Sequence, residues 1–245
     1  MSKMPPVVSL DPVEPDHVVE VARAVLAVPY LDIHTTPVGQ TLIGWIRGSH
    51  DQILAVGELV SLGHITSIGP NIRTIMDVVL RLLWLRSLPD RAAGLRGQFA
   101  GEARQADLHL HNLQKMKLPI TIVESPPEID LDQQFGSLDT KLQGLAARVL
   151  DISLDASKQA TGVGGFYDTW HTASQFTHAT MALAEAYAPR TSFGNFTAPG
   201  DFPNLAHDRL NAVSMVICSI AAEILIDEGL DQDTALTFLV ASATV

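Results

Sequence analysis

Between Gly69-Pro70 and Pro89-Asp90 the chain carries a nearly continuous apolar run whose few charges return at a helical interval. Proline is poorly tolerated inside a regular helix, so these positions read as its boundaries. At about 100° per residue, Arg73, Asp77, Arg81 and Trp84 fall on one stripe, while Ile72, Ile75, Met76, Val79, Leu82 and Leu83 fill most of the remainder. A segment apolar over most of its circumference must be covered by other elements, so the pattern predicts a buried helix within a helical assembly. The Arg-Asp-Arg ladder has two readings. It is a solvated strip of i to i+4 pairs, or a charged cluster that fixes a ligand or orients a neighbouring group.

The rest of the chain repeats this punctuation. Residues 1–15 are proline-rich and read as irregular, and a short helix is expected over 16–28, ended by Pro29. Residues 30–40, with Pro37 and Gly39, read as a connector. Helical patterns follow over 41–67, 71–87 with Asn71 as cap, and 91–117. Pro119, Pro126, Pro127 and Gly136 mark residues 118–136 as a linker, with room for a short strand at 120–123. Further helices are expected over 137–157, 166–187, 204–227 and 231–242, with a loop over 189–203 able to cover a site. The expected fold is all-α, a single bundle of about seven or eight helices over residues 16–245.

Three further stripes carry polar chemistry. Leu95, Phe99, Glu102, Ala106, His109, Leu113 and Met116 share a face, so Glu102 and His109 interrupt what reads as a core-facing side. A buried carboxylate needs a partner, and an imidazole two turns away on the same face can share a proton or a metal ion with it. His111 points away from that face. Tyr167, His171, Ser174, His178 and Glu185 form the densest line, flanked by Trp170 and Met181. Two histidines at i and i+7 suit metal ligation or a proton relay, and a polar seam inside a core suits them equally. Asp168-Thr-Trp-His171 is a carboxylate-x-x-His step of the kind di-iron bundles use in duplicate, but no convincing second copy exists. His207, Asn211, Ser214 and Cys218 line up within a very apolar segment and read as interhelical hydrogen-bonding positions. Cys218 becomes a nucleophile only with a base beside it.

Composition narrows the uses. The 245 residues are 47% hydrophobic and 18% charged with a net charge of -11, which disfavours a nucleic-acid backbone as partner. One cysteine excludes an internal disulfide and any multi-cysteine zinc site. The N-terminus lacks the apolar core of a signal peptide, and apolar stretches such as 78–85 are broken by charges and too short to span a bilayer. The expectation is a cytoplasmic protein without a membrane partner. There is no Walker A loop, no dinucleotide-binding glycine fingerprint, no His-Glu-x-x-His and no Gly-x-Ser-x-Gly.

The segment from Gly63 to Leu85, with Arg73, Asp77 and Trp84, resembles the signature helix of a bacterial all-helical family known as a domain of unknown function. That family shows Arg-x-x-x-Glu before an apolar run, and a later helix with Tyr, Ser and His that is similar to Tyr167, Ser174 and His178. Asp77 stands where the family has Glu, and the resemblance covers about residues 45–180. It implies a helical fold with Arg73, Asp77 and His178 in one polar centre, and no activity. Separately, Arg104-Gln-Ala-Asp-Leu-His109 resembles the Arg-x4-His motif of HEPN ribonucleases, which implies metal-free RNA cleavage by that pair.

The leading expectation is an enzyme or ligand-binding protein acting on a small, partly apolar molecule between helices. Glu102, His109, His171, His178 and Asp77 would be acid-base groups, and His171, His178 and Glu102 could hold one transition-metal ion. Arg73, Tyr167, Trp84, Trp170 and Ser174 would contact the ligand. The alternatives are a HEPN-like ribonuclease and a helical interaction module without catalysis. A homodimer is compatible with the apolar composition.

Overall fold

The first turn of a helix leaves its backbone N–H groups without partners, and this chain supplies caps for several such turns from its own side chains. A computed structural model describes residues 15–115, 135, 164–177 and 209–243. Among them are seven α-helices and no strand: α1 (Pro15–Leu26), α2 (Pro37–Ser61), α3 (Gly69–Ser87), α4 (Arg91–Lys115), α5 (Gly164–Gln175), α6 (Leu210–Asp227) and α7 (Gln232–Ala243), with a single 3-10 turn at Ile65–Ser67. The all-α class expected from the pattern is observed. The linker at 118–136 (Phe135 apart), the strand at 120–123 and the helix at 137–157 fall outside the described residues.

Several boundaries differ from the periodicity: α2 ends at Ser61 where a helix is expected to 67, and α5 ends at Gln175, with a turn at 176–177, inside the stretch expected to be helical to 187. The connector ends earlier than residue 40, because Thr36 caps α2: its Oγ1 accepts from the Gly39 N–H at 3.2 Å, and Pro37 fills the first helical position. Asn71 is no cap. It lies within α3, and its Nδ2 donates to Gln52 Oε1 at 2.8 Å, bridging to α2. Two further helix starts are capped by aspartates that the periodicity marks only as boundaries. Asp90 Oδ1 accepts from the Ala93 N–H at 2.9 Å, and Asp231 Oδ2 accepts from the Thr234 N–H at 3.0 Å. Those donors hold the Asp231 carboxyl below its ordinary value.

The core draws on all seven helices. Leu42, Ile46 and Ile53 of α2, Ile72, Ile75, Val79 and Leu82 of α3, and Ile217, Ile224 and Leu225 of α6 are fully buried. Val25 of α1, Leu95 of α4, Ala173 of α5 and Phe238 of α7 close over them. Helix α6 exceeds α3 in apolarity. Its 18 residues average a hydropathy of 1.8, long and apolar enough by those counts to cross a membrane, a feature the charge-broken 78–85 stretch does not share. Just over half of it is buried in the bundle.

Gly57 marks the closest approach of α1 to α2. A Cβ there would stand 2.6 Å from Val19 Cγ2, so the gap between these helices is set by a missing side chain. Gly63, at φ 78°, lets the chain leave α2 in a left-handed conformation. At the opposite end, ion pairs tie α6 to its neighbours. Arg86 meets Glu223 at 3.2 Å, and Arg91 meets Asp227 at 2.8 Å and Glu228 at 3.6 Å. Glu228 Oε2 also accepts from Thr36 Oγ1 at 2.9 Å.

Candidate functional site

The Arg73, Asp77 and Arg81 side chains of α3 share the face that the stripe predicts, and they line a cleft. Its walls are Pro70, Arg73, Thr74, Asp77 and Arg81 of α3 with Thr177 just beyond α5, around a volume of about 350 Å³. Helix α5 is brought to this face by Ala173, fully buried against the core, and by Phe176, whose Cβ would stand 3.1 Å from a Cβ at Gly69. The cleft is therefore a gap between the first turns of α3 and the end of α5.

Its charges are unevenly paired. Arg81 Nε donates to Asp77 Oδ2 at 2.6 Å, and Arg81 Nη1 lies 3.8 Å from Glu102 Oε1 of α4. One guanidinium thus serves two carboxylates. Glu102 in turn accepts from Gln98 Nε2 at 2.9 Å. Arg73 is one turn before Asp77, at the spacing that permits a pair, yet no carboxylate of the described residues lies within ion-pair distance of it. Its guanidinium instead lies 5.9 Å from the centroid of the Trp170 ring. Trp170 stacks on Tyr167 at 5.7 Å, and its indole Nε1–H is buried without an acceptor among the described residues.

Other expected site residues fall elsewhere. Trp84 is on the predicted stripe but contacts no cleft; it is fully buried, its ring 3.4 Å from where a Gly94 Cβ would stand. The stripe is straight, but its cover changes: Trp84 lies under the α4 crossing, whereas Arg73, Asp77 and Arg81 on the preceding turns line the cleft. Glu102 does not face the core. Its side chain is 57% exposed at the rim, one turn beyond the buried Leu95 and Gln98. His171 is exposed and reaches no further than the Tyr167 ring at 6.3 Å. The Ser174 hydroxyl donates to Trp170 O at 2.8 Å on its own helix. His178 and the side chain of His109 lie outside the described residues, as does His207. Arg104, of the ribonuclease-like motif, is exposed on α4. Among the described residues no three His, Cys, Asp or Glu side chains gather as metal ligands.

The sequence reading missed His50. This residue of α2 is fully buried and sits between Ile46 and Ile53, at the i−4 and i+3 spacing of an inward face that periodicity could have exposed. Its Nδ1 is 2.7 Å from Ile46 O, and a carbonyl can only accept, so Nδ1 carries the proton. Nε2 is then the acceptor for the Ser214 Oγ–H of α6 at 2.7 Å, with Cys218 Sγ at 3.8 Å from the same nitrogen. Ser214 and Cys218 are thus the interhelical positions that their stripe suggested. A hydroxyl on an imidazole is also the geometry of an activated nucleophile, and a base does stand beside Cys218. The surroundings oppose ionisation. Burial holds His50 down at about 4 despite the Ile46 carbonyl, and pushes the Cys218 thiol up to about 12 despite the Ser242 and Ser214 hydroxyls. A neutral imidazole and a protonated thiol, sealed from solvent, make a polar seam that registers α2 on α6. Iodoacetamide at pH 8 is accordingly expected to leave Cys218 unmodified in the folded protein and to label it fully in denaturant, read by intact mass. Rapid labelling of the folded protein would mean the seam opens.

Comparison with protein-family models, curated proteins and solved structures gives no match for this chain.

Proposed function

We propose that this protein binds a small, partly apolar molecule carrying an oxyanion in the cleft between α3 and α5. The observation that carries this reading is Arg73. A guanidinium that lines a cleft and has no carboxylate partner among the described residues retains its charge for a ligand, whereas Arg81 beside it is committed to Asp77 and Glu102. The guanidinium presents a planar fork that matches a carboxylate. Two features support it. A volume of about 350 Å³ lies at the small end of the range for ligand sites, roughly 300–1,000 Å³. The Trp170 ring beside Arg73 and Pro70 on the cleft wall offer apolar surface next to the charge. The role is recognition and orientation of the ligand, with the Thr74 and Thr177 hydroxyls at its edges. Both hydroxyls donate to their own helices, to Pro70 O and Ala173 O, leaving their lone pairs outward.

Calorimetric titration with phenylpropionate and isovalerate tests the reading. Binding to the wild-type protein is expected, and Arg73→Ala should weaken it roughly ten- to a hundredfold, the value of one charge-assisted hydrogen-bonding group. Arg104→Ala, on exposed α4, should bind as the wild type does. Unchanged affinity in Arg73→Ala would refute the assignment.

A further inference from the structure

The charge pattern of the cleft goes beyond an anion. Arg81 carries one positive charge but stands between two carboxylates, Asp77 at 2.6 Å and Glu102 at 3.8 Å. Among the described residues, these three groups together leave that end of the cleft with an excess of one negative charge. The other end, Arg73, has an excess of one positive charge among the described residues, and the two ends are one helical turn apart. They do not neutralise each other directly. Asp77 spends Oδ2 on Arg81 Nε, and its Oδ1 has no partner among the described residues. A simple anion would gain from Arg73 and be repelled by the Asp77 end. A ligand with opposite charges a few ångströms apart would gain at both.

We infer that the ligand is a zwitterion of the α-amino-acid class with an apolar side chain. Its carboxylate meets Arg73, its ammonium meets Asp77 Oδ1, and its side chain lies toward Trp170. This inference rests on the oxyanion reading above and specifies it. A second donor strengthens the carboxylate end. The indole N–H of Trp170, whose ring centroid lies 5.9 Å from the Arg73 guanidinium, is buried with no acceptor among the described residues and would be a further donor if the ring turned toward the ligand.

Three probes of similar size separate the terms: L-phenylalanine, phenylpropionate without the ammonium, and phenethylamine without the carboxylate. Saturation-transfer and calorimetric titrations should rank L-phenylalanine first, about tenfold or more above either analogue. Asp77→Asn should reverse the order of the first two. It removes the ammonium partner and frees Arg81, so L-phenylalanine weakens while phenylpropionate holds or tightens. Arg73→Ala should weaken both. If phenylpropionate equals L-phenylalanine and Asp77→Asn changes neither, the zwitterion is overturned and the oxyanion reading stands. If none of the three binds, both fall. Thermal unfolding of Asp77→Asn, whose side chain is 35% exposed, checks that the variant is folded.

Discussion

Acidification from neutrality to pH 4 is expected to remove about 3 kcal/mol of folding stability through His50 alone. Burial lowers this imidazole from 6.5 to about 4, while in the unfolded chain it titrates at its ordinary value. Between those values the unfolded state binds a proton that the native state refuses. Stability is therefore complete above pH 6.5 and falls as pH drops toward 4, by about 1.4 kcal/mol for each pH unit crossed. Below the folded value the contribution is flat. Denaturant titrations at successive pH values should show this limb. The double variant His50→Leu/Ser214→Ala removes the titrating ring and the hydroxyl that would lose its acceptor, and should be far less sensitive to pH across the same window. An unchanged slope in that variant would place the proton uptake elsewhere.

Trp84→Ala should cost about 3–5 kcal/mol, the range for emptying a large aromatic site in a packed core. The indole is fully buried where α4 meets α3, next to Gly94, at which a Cβ would collide with Leu88 Cδ1 and touch the indole at 3.4 Å. Its Nε1–H has no acceptor among the described residues, so the expected loss is one of packing. Trp84→Phe should retain part of it. Urea denaturation of Trp84→Ala beside Arg73→Ala makes the contrast: the cleft variant should stay within about 0.5 kcal/mol of the wild type. Near-neutral stability in Trp84→Ala, with loss of ligand binding, would return the indole to the cleft.

These two residues show what periodicity can and cannot resolve. The stripe through Arg73, Asp77, Arg81 and Trp84 was legible because α3 is apolar elsewhere, so each polar position stood out against a uniform background. A stripe reports an angle about one helix axis. It does not report which neighbour covers which turn, and so it could not separate Trp84, under the α4 crossing, from the three charged residues that line the cleft. The same limit applies to Glu102, whose side chain stands 57% exposed at the rim beside Arg81 although its angle shares the stripe of Leu95. His50 was overlooked for the opposite reason. In a helix holding Thr41, Trp45, Arg47, Asp51 and several glycines, one more polar residue was inconspicuous, although its i−4 and i+3 neighbours were both isoleucine. Ser214 and Cys218 were read correctly as packing positions because α6 is so apolar that small polar residues needed an interhelical partner. The pairing of Arg81 with Glu102 joins two helices and was beyond any single-helix argument.

The guanidinium resonances of a nitrogen-labelled sample, with Arg73 assigned through Arg73→Lys, test the central claim most directly. On titration with L-phenylalanine or phenylpropionate, the Arg73 Nε–H signal should shift and saturate at the calorimetric affinity. The signals of Arg23 and Arg86, paired at the surface with Glu58 and Glu223, should stay in place. Saturable binding with a motionless Arg73 signal would contradict the cleft as the ligand site.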